Sequence, residues 1–287
     1  MWDGIINESH LYASLWLTVH MYEIDGTASK TVGSGTGFIV ERSLFMGDTA
    51  PGILITNRHV LDPDFERTPT GRKLDRVEVK GFVQATYRGR VSGKPKPVEF
   101  TITSPQPVFA PEYADVAAID LESAEIPGAR PTLTHLAGYG LASVTDFDRR
   151  LHVGATVVTP GYPSIDQVTG TRPILVSGTI ASDPRETLEI GAKEFPECIL
   201  CHSFSWGGMS GSPVFALVPR KPDSAKTWDD VEKKETHELL LVGVNRGHVK
   251  IGGTAQGALT YFAKSTVLGR LLKSMGSTLL APFDRFD

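Results

Sequence analysis

Short runs of alternating hydrophobic and polar residues, separated by glycine and proline, occupy most of the chain. Such runs predict β-strands, because successive side chains of a strand point to opposite faces of a sheet. The predicted strands are 13–24, 38–40, 53–56, 77–87, 98–102, 116–119, 156–159, 174–180, 199–204, 213–217, 239–245 and 258–262. Only residues 265–275 have apolar positions at helical spacing, so one C-terminal helix is expected.

The strands fall into two halves of similar length, which predicts an all-β fold built from two packed β-barrels. We expect one half over residues 1–125 and the other over 126–287. The proline-bearing stretch 123–146 would connect them. Residues 62–73, 105–113 and 219–238 are expected to form loops.

Composition and charge narrow the class of protein. Hydrophobic residues make up 40% of the chain, enough for a sizeable core. The net charge of -4 argues against binding to nucleic acid or to an anionic membrane, which would need a basic excess. No signal-peptide pattern follows Met1, and no apolar run reaches the roughly 18–20 residues of a membrane span. A soluble, cytoplasmic protein is expected.

The two cysteines, Cys198 and Cys201, are too few for a disulfide framework, which suggests a reducing compartment. They lie three residues apart in a predicted strand, so their side chains should point to opposite faces. A zinc site would need a second pair of ligands, and only His202 is near. No metal and no cofactor are expected.

One stretch carries candidate chemistry, namely residues 207–213 with the sequence Gly-Gly-Met-Ser-Gly-Ser-Pro. Glycines at this density allow positive φ angles and close approach to the main chain. A serine at such a turn could present its hydroxyl beside backbone N–H groups, as acyl transfer requires. On this stretch alone, a plain Gly/Ser/Pro turn between two strands explains the sequence equally well.

Two further residues change that balance. A serine hydroxyl becomes a nucleophile only when an imidazole takes its proton and a carboxylate orients the imidazole. His59 follows the predicted strand 53–56, and Asp115 opens the predicted strand 116–119. Alone, each would be read as an ordinary edge histidine or turn aspartate. Together with Ser210 they have the residue types of a catalytic triad.

The sequence around these residues resembles the chymotrypsin-like serine peptidases. Residues 56–60 (Thr-Asn-Arg-His-Val) resemble the T-x-x-H block, 115–119 resemble D-[IVL]-A-x-[LI], and 208–213 resemble G-x-S-G-[GS]-P. Three more segments are similar to the bacterial, HtrA-like branch, namely 33–38 (Gly-Ser-Gly-Thr-Gly-Phe), 161–163 (Gly-Tyr-Pro) and 243–245 (Gly-Val-Asn). The blocks occur in family order and span about residues 13 to 275.

The resemblance implies a chymotrypsin-like pair of six-stranded antiparallel β-barrels with the cleft between them, followed by a C-terminal helix. It makes Ser210 the nucleophile, His59 the general base and then acid, and Asp115 the orienting carboxylate. Asp120 lies at the far end of its strand and is the poorer choice. The backbone N–H groups of Gly208 and Ser210 would form the oxyanion hole.

The departures from the family pattern concern regulation. Secreted members carry a cysteine where this chain has Val60, which agrees with the expected lack of disulfides. Digestive members use an aspartate before the serine for zymogen activation, and here that residue is Met209. Control would then come from loop ordering, oligomerisation or a partner protein. Since the sequence ends at Asp287, we expect a stand-alone peptidase unit without a PDZ domain.

The resemblance also implies a substrate pocket walled by residues 203–208 and 243–248. The candidate substrate-binding residues are Phe204, Asn245, Arg246, Gly247 and His248. Phe204 would make one wall apolar. Arg246 or His248 would favour an acidic side chain if turned inward, or would face solvent otherwise. The sequence does not decide between these orientations.

Two functions from different classes follow. The first is a serine endopeptidase that hydrolyses proteins or peptides, either alone or as an effector controlled by a partner. The second is a catalytically silent protein-binding module with the same fold. An α/β-hydrolase esterase fits poorly, because that fold needs glycine where this chain has Ser212, and the order Ser, Asp, His along the chain.

Overall fold

The fold is known from a computed structural model. It describes residues 8–22, 29–41, 52–62, 64–83, 86–87, 90–91, 94–111, 113–128, 135–136, 140–164, 172–219, 237–249 and 257–276. The helices are α1 (Glu8–Leu11), α2 (Arg58–Leu61), α3 (Val144–Arg149) and α4 (Ser265–Ser274). None of the helices in these ranges is both long and apolar enough to cross a membrane.

The strands divide into an N-terminal and a C-terminal set. The first set is β1 (Ser14–Tyr22), β2 (Ser29–Val40), β3 (Ile53–Thr56), β4 (Lys73–Val83), β5 (Thr86–Tyr87), β6 (Arg90–Val91), β7 (Lys96–Thr103), β8 (Val108–Phe109), β9 (Ala117–Asp120) and β10 (His135–Leu136). The second set is β11 (Thr156–Gly161), β12 (Ile174–Ile180), β13 (Leu188–Ile190), β14 (Lys193–Phe195), β15 (Cys198–Ser205), β16 (Pro213–Pro219), β17 (His237–His248) and β18 (Gly257–Lys264).

In the N-terminal half, eight of the ten strands form one sheet, and β5 and β6 pair with each other in a separate hairpin. The strands of the sheet follow the order β7-β4-β1-β2-β3-β9-β8, and β10 pairs in parallel with β2. Strand β1 shows why the sheet forms where it does, since Leu15, Leu17, Val19 and Met21 alternate along it and are all buried. Strand β10 lies after residue 125, so the chain returns to the first sheet before the second half begins.

The C-terminal half is a closed barrel of six strands in the order β11-β12-β15-β18-β17-β16. Closure pairs every strand on both sides and leaves no open edge. One hydrophobic cluster is shared between the two halves, because Phe38 and Ile55 pack in it with Val158, Phe215 and Leu268. Leu268 comes from α4, whose apolar stripe faces this cluster.

The predicted all-β class, the two β halves and the C-terminal helix are confirmed. The closed six-stranded barrel is found in the second half, whereas the described part of the first half forms eight strands in one sheet. Helix α3 lies in the stretch predicted as a loose connection. It starts with a capping box in which Ser143 and Asp146 bond to each other's backbone N–H groups. The hairpin β13–β14 was also not predicted. Most of the loop 219–238 lies outside the described residues.

The turn 207–213 is fixed against the N-terminal half by strand β2. The hydroxyl of Thr36 donates to the carbonyl of Gly208 at 2.7 Å, and it accepts the N–H of Tyr162 at 3.1 Å. The Thr36 N–H donates to the carbonyl of Ser210 at 2.7 Å. One threonine of the first half therefore holds the turn of the second half at two points.

This close approach requires glycine at position 211. Gly211 has a φ of +87°, which side chains other than glycine rarely adopt. A Cβ there would lie 2.0 Å from the Thr36 carbonyl oxygen and 2.3 Å from the Thr56 hydroxyl. Both the backbone angle and the contact exclude a side chain.

We expect Gly211→Ala to lower the free energy of unfolding by more than about 2 kcal/mol, because it combines strain with a clash. Gly207→Ala is the matched control in the same turn, since a Cβ there would meet no atom within 4 Å. Its effect should stay within about 0.5 kcal/mol. Urea unfolding measures both, and equal losses in the two variants would contradict this account of the turn.

Candidate active site

The register of two strands brings His59 and Asp115 to the same edge of the first sheet. Strands β3 and β9 are antiparallel, and Thr56 at the end of β3 lies opposite Ala117 at the start of β9. The residues just after Thr56 and just before Ala117 therefore emerge side by side. His59 belongs to the single turn α2, which is anchored there by buried Leu61.

Asp115 is 1% exposed, and its carboxylate accepts two hydrogen bonds from His59. Its Oδ1 accepts the backbone N–H at 2.9 Å, and its Oδ2 lies 2.5 Å from the ring Nδ1. An ionised carboxylate has no proton to donate, so Nδ1 carries the hydrogen. That tautomer leaves Nε2 with a lone pair. The ring stays 30% exposed, so Nε2 can act as a base toward a bound molecule.

Asn57 fixes the backbone around this pair. Its side-chain amide donates to the carbonyl of Asp115 at 2.6 Å, and both groups are buried. The bond ties the segment before His59 to the segment before β9. The carboxylate therefore has a fixed position before its own hydrogen bonds are considered.

Ser210 approaches the same edge on the turn 207–213. A Cβ on Gly35 would lie 2.8 Å from Val60 and 3.2 Å from the Ser210 carbonyl, which places the turn beside α2. The Ser210 Oγ donates to the carbonyl of Arg246 at 3.5 Å. Within the described residues, no hydrogen bond joins it to His59. The structure thus brings the three predicted triad residues to one edge and pairs two of them.

The backbone of the turn leaves two N–H groups open. Gly207 accepts the N–H of Ser164 through its carbonyl at 2.6 Å. Because C=O and N–H point in opposite directions in a trans peptide, this aims the Gly208 N–H away from Ser164. Neither the Gly208 nor the Ser210 N–H has an acceptor among the described residues. Two open donors beside a serine hydroxyl can bind a developing oxyanion.

Gly208 also needs to be glycine. Its φ is +88°, and a Cβ would lie 2.4 Å from the Tyr162 carbonyl oxygen. The positive φ and the tight contact resemble those of Gly211. The open orientation of the Gly208 N–H therefore depends on two glycines and on the segment 161–164.

Phe204 and Gly247 border open space, whereas a third candidate substrate-binding residue, His248, is only partly exposed. Phe204 is 60% exposed and stacks on Trp206, with ring centroids 6.1 Å apart. Gly247 has no atom within 4 Å of a Cβ position, and His248 is half-buried. A groove beside Phe204 is also lined by Ser177, Gly178, Thr179, His202, Ser203 and Ala258.

Asn245 and Arg246, the other two candidates, have buried side chains. The Asn245 amide donates to the Met209 carbonyl at 2.8 Å, so it holds the turn from behind. The Arg246 guanidinium is 3% exposed and lies between Asp115 and Glu66. It does not face solvent. The geometry therefore does not favour the Arg246 side chain as a substrate-binding group.

Sequence reasoning missed four residues that shape the site: Thr36, Asn57, Glu66 and Ser164. Thr36 and Asn57 lie inside the recognised blocks 33–38 and 56–60, so their proximity to the site could have been noticed. Glu66 lies in a charged loop, where nothing in the pattern sets it apart. Ser164 acts through its backbone N–H, which leaves no mark on the sequence.

Cys198 and Cys201 are free thiols, and both are buried. Burial raises the pKa of Cys198 to about 11 against the opposing effect of Arg246, and it raises the pKa of Cys201 to about 12. Both therefore stay protonated near neutral pH. In the part of the chain that the structure describes, no three His, Cys, Asp or Glu side chains are grouped as metal ligands.

Comparison with solved structures gives matches of low sequence identity. The Rv3671c protease from M. tuberculosis in its active form is 15% identical, with a TM-score of 0.48, and the match covers 94% of this chain and 84% of that one. Deg5 is 17% identical, with a TM-score of 0.49 and coverage of 92% and 88%. No curated protein matches the sequence.

A family profile gives the assignment. The trypsin-like peptidase domain matches residues 35–217, more than half of the chain. The matched region starts in β2, contains His59, Asp115 and Ser210, and ends in β16. The chain belongs to the trypsin-like peptidase family.

Proposed function

We propose that the protein is a serine endopeptidase that hydrolyses peptide bonds in proteins through the triad His59, Asp115 and Ser210. The observation that carries the proposal is the His59 ring, which is held by Asp115 in the tautomer that a general base needs. The family membership supports the peptidase class, and the pairing supports the residue roles.

In the first step, Ser210 Oγ attacks the carbonyl carbon of the substrate, and its proton passes to Nε2 of His59. The imidazolium that forms lies against the Asp115 carboxylate, which stabilises the positive charge. The carbonyl oxygen becomes an oxyanion, and the N–H groups of Gly208 and Ser210 donate to it.

In the second step, the C–N bond breaks and His59 gives its proton to the leaving amine. The carbonyl carbon stays bound to Ser210 Oγ as an ester. A water molecule then loses a proton to His59 and attacks this acyl-enzyme. The ester bond breaks, the proton returns to Ser210 Oγ, and the carboxylic acid product is released.

A second candidate function rests on the Ser210 hydroxyl, which in this structure donates to the backbone carbonyl of Arg246 rather than to the His59 ring. A serine in that orientation is not activated. The chain would then be a resting peptidase, or a protein-binding module that never turns over. We propose the first, because rotation about one side-chain bond moves the hydroxyl and the two oxyanion donors are already open.

We further propose that the peptidase works in the cytoplasm on protein or peptide substrates, and that a partner protein controls it. Phe204 and Gly247 would contact the substrate, since they border open space, and so would the partly exposed His248 next to Gly247 in β17. A peptide-library cleavage profile of the purified chain, with Ser210→Ala as the blank, would identify the residue that the enzyme prefers before the scissile bond.

We expect a fluorophosphonate probe to label the wild-type chain on Ser210 and to leave Ser210→Ala unlabelled, because the probe reacts with an activated serine. Ser212→Ala is the matched control, since this serine lies in the same turn and its buried hydroxyl has no partner among the described residues. Mass spectrometry of the labelled peptide identifies the site. An unlabelled wild type would favour the binding module, and labelled Ser210→Ala would contradict the assigned nucleophile.

We expect His59→Ala and Ser210→Ala each to lower kcat by at least about 10⁴-fold. The double variant should be within about threefold of the worse single variant, because the two residues act as one unit. Hydrolysis of a peptide selected from the library measures all three. Independent losses that multiply in the double variant would show that the two residues do not act together.

A further inference from the structure

Arg246 is a buried cation placed directly behind the proposed catalytic pair. Its side chain is 3% exposed, and its Nε lies 3.5 Å from Oδ2 of Asp115. At the other end, its Nη2 donates to Oε1 of Glu66 at 2.5 Å. A continuous series of contacts therefore runs from Glu66 through Arg246 and Asp115 to His59. Its charges alternate from negative to positive to negative, and it ends at the imidazole ring.

Aromatic rings surround this guanidinium. Its Cζ lies 5.1 Å from the ring centroid of Phe195, 5.7 Å from that of Tyr261 and 6.0 Å from that of Phe65. Ring faces attract a cation, and they also exclude water. Charges in such a site are screened less than at the surface, so the interaction of Arg246 with Asp115 is strengthened.

The guanidinium keeps its charge in this surrounding. Burial acts to lower the pKa of Arg246, but the nearby Asp115, Tyr261 and Glu66 outweigh burial and raise it above its ordinary value. A permanent positive charge is thus held against the carboxylate that must stay negative while His59 is protonated.

The backbone at Glu66 points to the same conclusion. Glu66 has a φ of +56°, a conformation that is uncommon for residues with a side chain and costs conformational energy. Its neighbour Phe65 is buried, so the turn is anchored while the Glu66 carboxylate reaches Arg246. Burying a charged pair is itself rarely the best way to gain stability. The pair that is buried on both sides is Arg246 with Asp115, whose side chains are 3% and 2% exposed.

We propose that Arg246 is a positioning residue of the triad, which fixes the orientation of the Asp115 carboxylate, and that Glu66 holds Arg246 in place. This deepens the proposed function and rests on it. Arg246 belongs to β17 of the second half, whereas Asp115 and Glu66 belong to the first. The contact therefore also keeps His59 and Asp115 in register with β17, whose Asn245 backbone bonds to Gly211 and Ser212 of the nucleophile turn.

The test is the rate constant and the final stoichiometry of fluorophosphonate labelling, measured on the full chain. Arg246→Met should lower the rate constant by about 10- to 100-fold, because the buried Asp115 carboxylate then loses its cationic partner and orients the His59 ring less firmly. The final stoichiometry should stay at one label per chain. Arg246→Lys should recover part of the rate, because a lysine keeps the charge but not the fork that bridges two carboxylates.

Glu66→Gln keeps the cation and removes only its tether, at a side chain that is 54% exposed, so this variant should fold. We expect a smaller fall in rate, of about 3- to 10-fold. The matched control is Glu99→Gln. This change on β7 breaks an exposed ion pair with Lys80 of β4, and the variant should be labelled at the wild-type rate. With a peptide substrate, the losses should fall on kcat and leave KM nearly unchanged.

The outcomes separate this inference from the proposed function. If the wild type is labelled and the Arg246 variants reach full stoichiometry at the wild-type rate, the inference fails and the function stands. If they show a lower stoichiometry at an unchanged rate constant, Arg246 is only structural and the inference also fails. If Glu66→Gln is labelled at the wild-type rate, Glu66 does not hold Arg246 in place, and that part of the inference fails. An unlabelled wild type overturns both proposals.

Discussion

The rest of the site depends on one buried carboxylate. Asp115 is 1% exposed, so its charge is tolerated only because donors surround it: the backbone and ring of His59 on one side and Arg246 on the other. Removing one partner of a buried ion pair typically costs about 3–5 kcal/mol, because the other charge is left uncompensated. The position of the His59 ring, and hence the lone pair on Nε2, follows from how firmly this carboxylate is held.

A second constraint is steric and acts on the turn 207–213. Strand β2 reaches across from the other half, and Thr36 bonds to the turn on both sides of Met209. The backbones come so close that Gly208 and Gly211 admit no side chain. Sterics therefore place the Ser210 backbone, whereas electrostatics place the His59 ring. The Ser210 backbone and the His59 ring meet because β2 carries Thr36, and the neighbouring strand β3 leads into α2, which carries His59.

The sequence predicts those parts of the fold and of the site that have a local cause. Period-two alternation predicts β1, the apolar spacing predicts α4, and the glycines around Ser210 predict a sharp turn. It does not predict the eight-stranded first sheet, because strand order depends on pairings such as β10 with β2 between distant segments. The sequence also does not decide whether the Arg246 side chain faces the substrate pocket or the solvent. The third orientation, behind Asp115, depends on Glu66, which is 180 residues away along the chain.

The orientation of the Ser210 hydroxyl fits these two constraints. The turn and the carboxylate are each fixed by several contacts, whereas the hydroxyl makes one long hydrogen bond of 3.5 Å to a carbonyl. That bond lies at the upper limit of hydrogen-bond length, and breaking it requires rotation about a single side-chain bond. A substrate carbonyl entering beside the Gly208 N–H would come close to this hydroxyl. In the acyl transfer that we propose, the groups that must stay in place are thus the firmly held ones, and the group that must move is the loosely held hydroxyl.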